Sequence, residues 1–499
     1  MRTLSIVRAS LGGGAALLLA GFLAAAPAQA GTGGSVPCSS AALIGAIKAA
    51  NTAGGGAINL APRCHYKLTT PINGIDGVPP ATTPIDGLPP VITRIAVNGN
   101  GATIDGTGAV RVFEVDGPGG KLLLNNVTIT GGSAEVGGGI ANIGGTVTLN
   151  FSTVTRNTAT DAGGGIAIAT GLVGTSVAKL TLNFSRVTGN TQSLAPASGG
   201  EGGGGILSLL GKVTVNYSQV SGNTAMGLVG GGIASGDYMN FSSTSSFLTV
   251  NHSRVTGNTA PNAGGGGIQN LLGTVTVNSS QVNGNTSLNG GGISSGNGNG
   301  GIPPGTSHLT LNNSQVSGNT ATAPVPSGPM SGPPIAAGGI ANGGVAVLNR
   351  TQVNNNTASH TSGGGIVNHG TMTVTNSQVN GNTAAGTGPV ASGGGIISAQ
   401  GEPGSAPTTL TLVNSQVNFN RAGGDGGGIA NGVSLPNAPT PLIGGALKLV
   451  SSLVLGNTAT AGGGIFNNLG TVTLVNALII LNHPDNCAST SGTITGCKN

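Results

Sequence analysis

Glu135, Asp161 and Glu201 are the residues of this chain whose type and spacing most suggest chemistry. Each stands five residues ahead of an isoleucine that closes a glycine run, namely Ile140, Ile166 and Ile206. The sequence holds only 12 acidic residues, so three at one repeated offset form a pattern to be weighed. If the three units stack, their carboxylates line one edge at a backbone spacing of about 4.8 Å. Such a row would suit a Ca²⁺ ion, or would raise the pKa of one member toward that of a general acid. Arg156 and Arg186 are the cations expected to neutralise it. This is the outline of a polysaccharide lyase or glycoside hydrolase, whose chemistry needs converging carboxylates or a Ca²⁺ site beside a base. Against it, all three residues sit in glycine-rich turns, where exposed carboxylates commonly serve solubility. The units that follow carry Leu228 and Ala263 at the same offset. The six histidines, His65, His252, His308, His360, His369 and His483, are scattered, which suits surface roles. No residue set calls for a cofactor.

The elements that would position these residues begin after an export signal. Arg2 and Arg8 precede an apolar stretch from Leu11 to about Ala26, followed by Ala28-Gln29-Ala30. That order reads as a signal peptide over residues 1–30, so a secreted, extracellular protein with no membrane span in its mature part is expected. Without Arg2 and Arg8, 15 basic face 12 acidic side chains over the remaining chain. Such sparse charge is poor footing for nucleic acid. Four cysteines, Cys38, Cys64, Cys487 and Cys497, fall as one pair near each end, and an exported chain of elongated shape favours disulfides within each pair. Between Cys38 and Cys64, Ser39–Asn51 places Leu43, Ala46, Ile47 and Ala50 at helical spacing behind a serine cap. A short amphipathic helix there would cover the exposed core at a solenoid end.

From Gly137 onward one unit recurs: GGGI, a variable link, then x-V-T-V-x-x-S-x-V-x-G-N-T. Its anchors are Ile140, Ile166, Ile206, Ile233, Ile268, Ile293, Ile340, Ile366, Ile396, Ile429 and Ile465, spaced 25 to 47 residues apart. The shortest spacings fit one coil of three short strands, and longer ones imply loops. Val147 and Leu149 alternate with Thr148, as Val275 and Val277 do with Thr276. Period-two alternation sends one set inward and the other to solvent. A turn asparagine returns in phase: Asn157, Asn190, Asn223, Asn258, Asn285, Asn319, Asn356, Asn382, Asn420, Asn457 and Asn482. Asn tolerates a left-handed turn and its amide can bond the same amide one coil away, so a structural ladder is expected. The glycines are expected to supply turn conformations that a Cβ forbids.

These strings, with the closing Asn482-His483-Pro484-Asp485-Asn486-Cys487, resemble right-handed parallel β-helix proteins of the pectate-lyase-like kind. Within that group they are most similar to secreted bacterial chains carrying polymorphic outer-membrane-protein-type repeats. The resemblance spans roughly residues 90 to 487 and implies an all-β, single-stranded parallel solenoid of about 11–13 coils. Its expected parts are an N-terminal cap and Pro-rich link over 31–90, the β-helix over 91–482 and a C-terminal disulfide cap over 483–499. The fold hosts lyases, hydrolases, adhesins and inert stalks alike. No barrel pattern follows the repeats, so display by autotransport is not expected.

Two surfaces remain. Outward threonines recur as Thr148, Thr181, Thr214, Thr249, Thr276, Thr310, Thr373, Thr411 and Thr473, interrupted by Ala346 and Lys448. Such T-x-T arrays are similar to those of ice-binding solenoids, although Thr is also simply a good strand former. Extended links, among them Ala234 to Phe247 and Ser294 to His308, should emerge along one edge, where an extracellular glycan, the cell wall or another protein would meet the rod. The reading of the sequence is therefore a secreted, non-catalytic structural, adhesive or glycan-binding β-helix, with a polysaccharide-cleaving enzyme and an ice-binding solenoid as alternatives.

Overall fold

In the computed structural model the described residues are 34–72, 85–170, 176–194, 201–236, 246–296, 307–323, 335–386, 392–400, 407–433, 442–491 and 493–499. The export signal, the middle of the Pro-rich link and the centres of the two extended links lie outside them. The chain is a parallel β-helix: among the described residues all but one of the strand pairings run parallel, each strand meeting its counterpart one coil away. Three strand columns result, and one coil illustrates them. Ile166–Ala169 belongs to the first column, Lys179–Asn183 and Arg186–Thr188 form the second around a corner, and Thr191–Gln192 belongs to the third.

Register follows the repeat residue for residue. Ile166 pairs with Ile140 on one side and Ile206 on the other, and Leu180 with Val147 and Val213. A slip of one residue would turn every inward Val or Leu to solvent, so the alternation itself fixes the stacking. The anchor isoleucines from Ile140 to Ile465 are all fully buried and belong to one continuous core with Val147, Leu149, Val154 and their equivalents. Burying each such side chain contributes about 1.5–3 kcal/mol.

The glycine triplets divide their work differently from the expected turn role. Gly203 has φ +74°, a left-handed conformation, but Gly204 and Gly205 do not. What constrains Gly205 is proximity: a Cβ there would lie 2.6 Å from the Gly232 carbonyl oxygen and 2.9 Å from Asn223 Nδ2. The last glycines of each triplet thus let one coil's backbone lie directly on the next.

The N-terminal helix, α1 (Ser40–Thr52), is capped by Ser39, whose Oγ accepts from the Ala42 N–H at 3.2 Å. Leu43 and Ile47 are fully buried in the main core, so α1 closes that end of the column. Parallel stacking extends beyond residues 91–482: Gly55–Asn59 pairs with the strand Arg94–Asp105, and Cys487–Ser489 with Ile465–Asn467. Disulfides join Cys38 to Cys64 and Cys487 to Cys497.

Candidate functional site

The acidic edge lies where each unit enters its glycine run. Backbone bridges set Val136 beside Ala162, Ala162 beside Gly202 and Gly202 beside Val229, so Glu135, Asp161 and Glu201 precede residues of one column. Asp161 and Glu201 come together: the Glu201 N–H donates to Asp161 Oδ1 at 3.1 Å. Asp161 is only 4% exposed and its Oδ2 has no partner. Burial pushes its pKa up to about 6, and burial followed by the Asp161 charge pushes Glu201 up to about 7. Glu135 stands in the strand Ser133–Val136, across a register shift from the Asp161 strand. Among the described residues no three of His, Cys, Asp and Glu gather closely enough to hold a metal ion.

The cations expected to neutralise this edge are elsewhere. Arg156 is exposed at the turn before Asn157, and Arg186 begins a strand of the second column. The guanidinium at the acidic edge is that of Arg111, 4% exposed. It donates to Asp86 Oδ1 at 2.9 Å, to Glu114 Oε2 at 3.4 Å and twice to the Val136 carbonyl oxygen, at 3.2 and 3.0 Å. Asp86 is completely buried, and desolvation raises its pKa despite Arg111. A glycosidase needs both carboxyls open to a sugar. A sealed Asp161 does not offer that.

The turn asparagines form a continuous buried ladder. Asn157 Nδ2 donates to Asn190 Oδ1 at 3.0 Å, and links of 2.9–3.0 Å continue through every member to Asn482. A second ladder runs on the outside, and the sequence reading missed it. Asn59, Asn98, Asn125, Asn150, Asn183, Asn216, Asn251, Asn278 and Asn312 link Nδ2 to Oδ1 at 2.8–3.0 Å, each donating to the preceding coil. The signal was the asparagine that ends V-T-V-N, which unit after unit repeats.

The residue after this outer asparagine turns the corner of the second column, and it is there that a candidate binding site lies. Phe151, Phe184, Tyr217 and His252 occupy this corner in four successive coils with φ of 48–51°. Elsewhere the same corner is Asn126, Asn313, Asn376, Asn414 or Asn476, with Ser279, Arg350 and Ser451 as the other occupants. A left-handed backbone costs a residue with a bulky Cβ about 1–2 kcal/mol, and Asn less. The rings do not recover this by joining the core, since Phe151, Phe184 and Tyr217 are 66%, 54% and 55% exposed. They stack on one another instead, with centroids 5.1, 5.1 and 4.9 Å apart and planes within 8° of parallel.

A groove of about 890 Å³ runs beside the stack, floored by the strands that follow each corner. Its far wall is the outward row Thr153, Arg186, Gln219, Arg254 and Gln281, held in register by parallel pairing. Arg254 Nε donates to Gln281 Oε1 at 3.2 Å. A buried serine ladder fixes the corner from below: the Ser185 N–H donates to Ser218 Oγ at 2.9 Å, and the Ser218 N–H to Ser253 Oγ at 3.0 Å. The short signal in the sequence was N-F-S, N-F-S, N-Y-S, N-H-S, four bulky residues between an outer asparagine and an inner serine.

The threonine rows are as expected with one correction. Thr310 pairs with Val347, which pairs with Thr373, so Val347 and not Ala346 interrupts the outer row; Ala346 is buried between Leu309 and Met372. The alternation of V-A-V-L is one residue out of step with T-V-T-V when read by eye. No protein-family model, no curated protein and no solved structure matches this chain.

Proposed function

We propose that this is a secreted, non-catalytic β-helix of the pectate-lyase-like kind, whose groove between the aromatic stack and the Arg186–Arg254 row binds an extended extracellular polymer such as a cell-wall glycan. The observation that carries the reading is the placement of four solvent-exposed rings at left-handed corners. Asn is the commonest residue at that corner, and the exposed rings that replace it in four coils form a continuous line of aromatic surface open to a ligand. The groove is open along the rod, which suits a chain and not a compact metabolite. Paired disulfides fit an oxidising, extracellular setting. No helix among the described residues is long and apolar enough to cross a membrane.

The test replaces Phe184 and Tyr217 with Asn, the residue other coils use at this corner. Binding of the mature protein to insoluble cell-wall polysaccharides should fall at least about tenfold while the far-ultraviolet spectrum stays unchanged, loss of an anchoring aromatic side chain at an interface typically costing more than about 1 kcal/mol. Undiminished binding by the double variant, or release of sugar fragments by the wild type, would remove the reading. The polysaccharide-cleaving alternative is the second of these outcomes.

A further inference from the structure

We infer that the ligand of this groove is a linear polyanion lying parallel to the rod axis; this rests on the binding reading above and narrows it to one charge class. Three observations converge on it. The first is the way the rings face. Because each ring covers its neighbours' faces, the stack offers solvent its edges, and the edge of an aromatic ring is the positive side of its quadrupole. Stacking of flat bases or sugars on ring faces, the usual use of exposed aromatics, is blocked along the stack because those faces are taken.

The second is charge. Only 6% of this sequence is charged, yet the coils that carry the rings hold exposed cations, whereas residues 255–349 contain no Lys or Arg. Arg186 and Arg254 line the groove, while Lys179 and Lys212 open the strands that lead into Phe184 and Tyr217. Among the described residues none of the four is in an ion pair. The acidic edge lies on a different column of the coil, and no carboxylate stands on the strands that line the groove. Ring edges and guanidinium groups thus present one sign of potential along one line.

The third is spacing. Arg186 and Arg254 are two coils apart with Gln219 between them, about 9.6 Å at the usual strand spacing. Gln219 supplies an amide donor between them, and Gln281 another one coil beyond Arg254. A polymer bearing an oxyanion at every residue or every second residue can meet both arginines without bending, and the stack is about 14 Å long, which asks for several residues. Carboxylate and phosphodiester polymers share this chemistry.

The experiment measures binding of the mature protein to three soluble probes: polygalacturonate, inorganic polyphosphate and uncharged dextran. Both polyanions, or whichever carries the right oxyanion, should bind with a log–log salt slope between about −1.5 and −3, as for two to four neutralised charges. Short oligomers should bind more weakly than long ones. Arg186→Gln and Arg254→Gln restore the residue found at this row in other coils, so the fold is kept, and each should weaken polyanion binding about tenfold, the equivalent of one charge-assisted hydrogen bond. Lys48→Gln, at an exposed cation on the N-terminal helix α1, should change nothing. Dextran binding as well as the polyanions with no salt dependence would overturn the charge assignment while leaving the groove as a glycan site. Polyanion binding that survives the double Gln variant would overturn the groove as its location. Failure of all three probes, together with loss of wall-polysaccharide binding in the Asn variants, would refute the polyanion and keep the broader reading.

Discussion

Replacing Asn285 with alanine removes one rung from the middle of the buried ladder, and the cost can be worked from its bonds. Asn285 Oδ1 accepts from the Asn258 backbone N–H at 2.9 Å and from Asn258 Nδ2 at 3.0 Å. Its Nδ2 donates to the Val255 carbonyl oxygen at 3.0 Å and to Asn319 Oδ1 at 2.9 Å. Asn319 Oδ1 keeps a second donor, the Asn285 N–H at 2.9 Å, and Asn258 Nδ2 keeps the Val220 carbonyl oxygen at 3.1 Å. The Asn258 N–H, fully buried, keeps nothing. An orphaned buried donor costs about 1–3 kcal/mol, and the lost amide bonds with the space left behind bring the total to about 3–5 kcal/mol. At the end of the ladder Asn482 is only part-buried, so water can replace the missing group and Asn482→Ala should cost about 1 kcal/mol. Asn285→Asp keeps the acceptor but sets an oxygen against Val255 and Asn319 oxygens, so its cost should shrink as the pH falls and the carboxyl protonates. Equilibrium denaturant unfolding followed by circular dichroism measures all three, and hydrogen exchange reads the Asn258 N–H directly. A cost for Asn285→Ala below about 1 kcal/mol, or equal to that of Asn482→Ala, would refute the claim that the ladder holds the turns.

Two further predictions concern the glycines and the acidic edge. Gly205→Ala drives a Cβ into the backbone of the next coil, so refolding yield or Tm should fall sharply, whereas Gly257→Ala, with open space around it, should cost only the left-handed strain of about 1–2 kcal/mol; equal effects would deny the close-approach argument. Because the folded pKa of Asp161 is raised to about 6 from 3.8, the folded state binds the proton more tightly, and stability should be fullest below pH 4 and decline until pH passes 6. The decline for this group is about 3 kcal/mol, and denaturation across that window should show Asp161→Asn with a flatter profile; an unchanged slope would mean the carboxyl is not buried in solution.

The column of isoleucines, the alternating strands and the turn asparagines were legible in the sequence because each recurs once per coil in fixed phase, and phase is what stacking converts into contact. Val347 shows the limit of reading by motif: only the pairing of Leu309, Ala346 and Met372 as one buried row places it outward. The acidic row was legible as a repeat but not as an environment, since burial of Asp161 and the entry of Arg111 depend on how the turns pack. The aromatic stack was missed for a different reason. Phe, Tyr and His at one position look like unrelated substitutions until the register of the coils is known, which sets the four rings face to face.

The two asparagine ladders run in opposite senses. Amides of the inner ladder donate toward the C-terminal end, those of the outer ladder toward the N-terminal end. Chains of aligned amides polarise one another and sum to a macroscopic dipole, as in a helix, so where both are present the two largely cancel. The inner ladder is terminated at one end by the Gly132 N–H, 2.8 Å from Asn157 Oδ1, and at the other by Asn486 Oδ1, which accepts from Asn482 Nδ2 at 3.0 Å. Past Asn312 the inner ladder goes on without the outer one, and its electropositive tip lies at Asn486, next in sequence to Asp485. Before Asn157 the outer chain likewise runs alone from Asn59, so each end of the rod keeps an uncancelled row of amide dipoles whose N–H ends point outward.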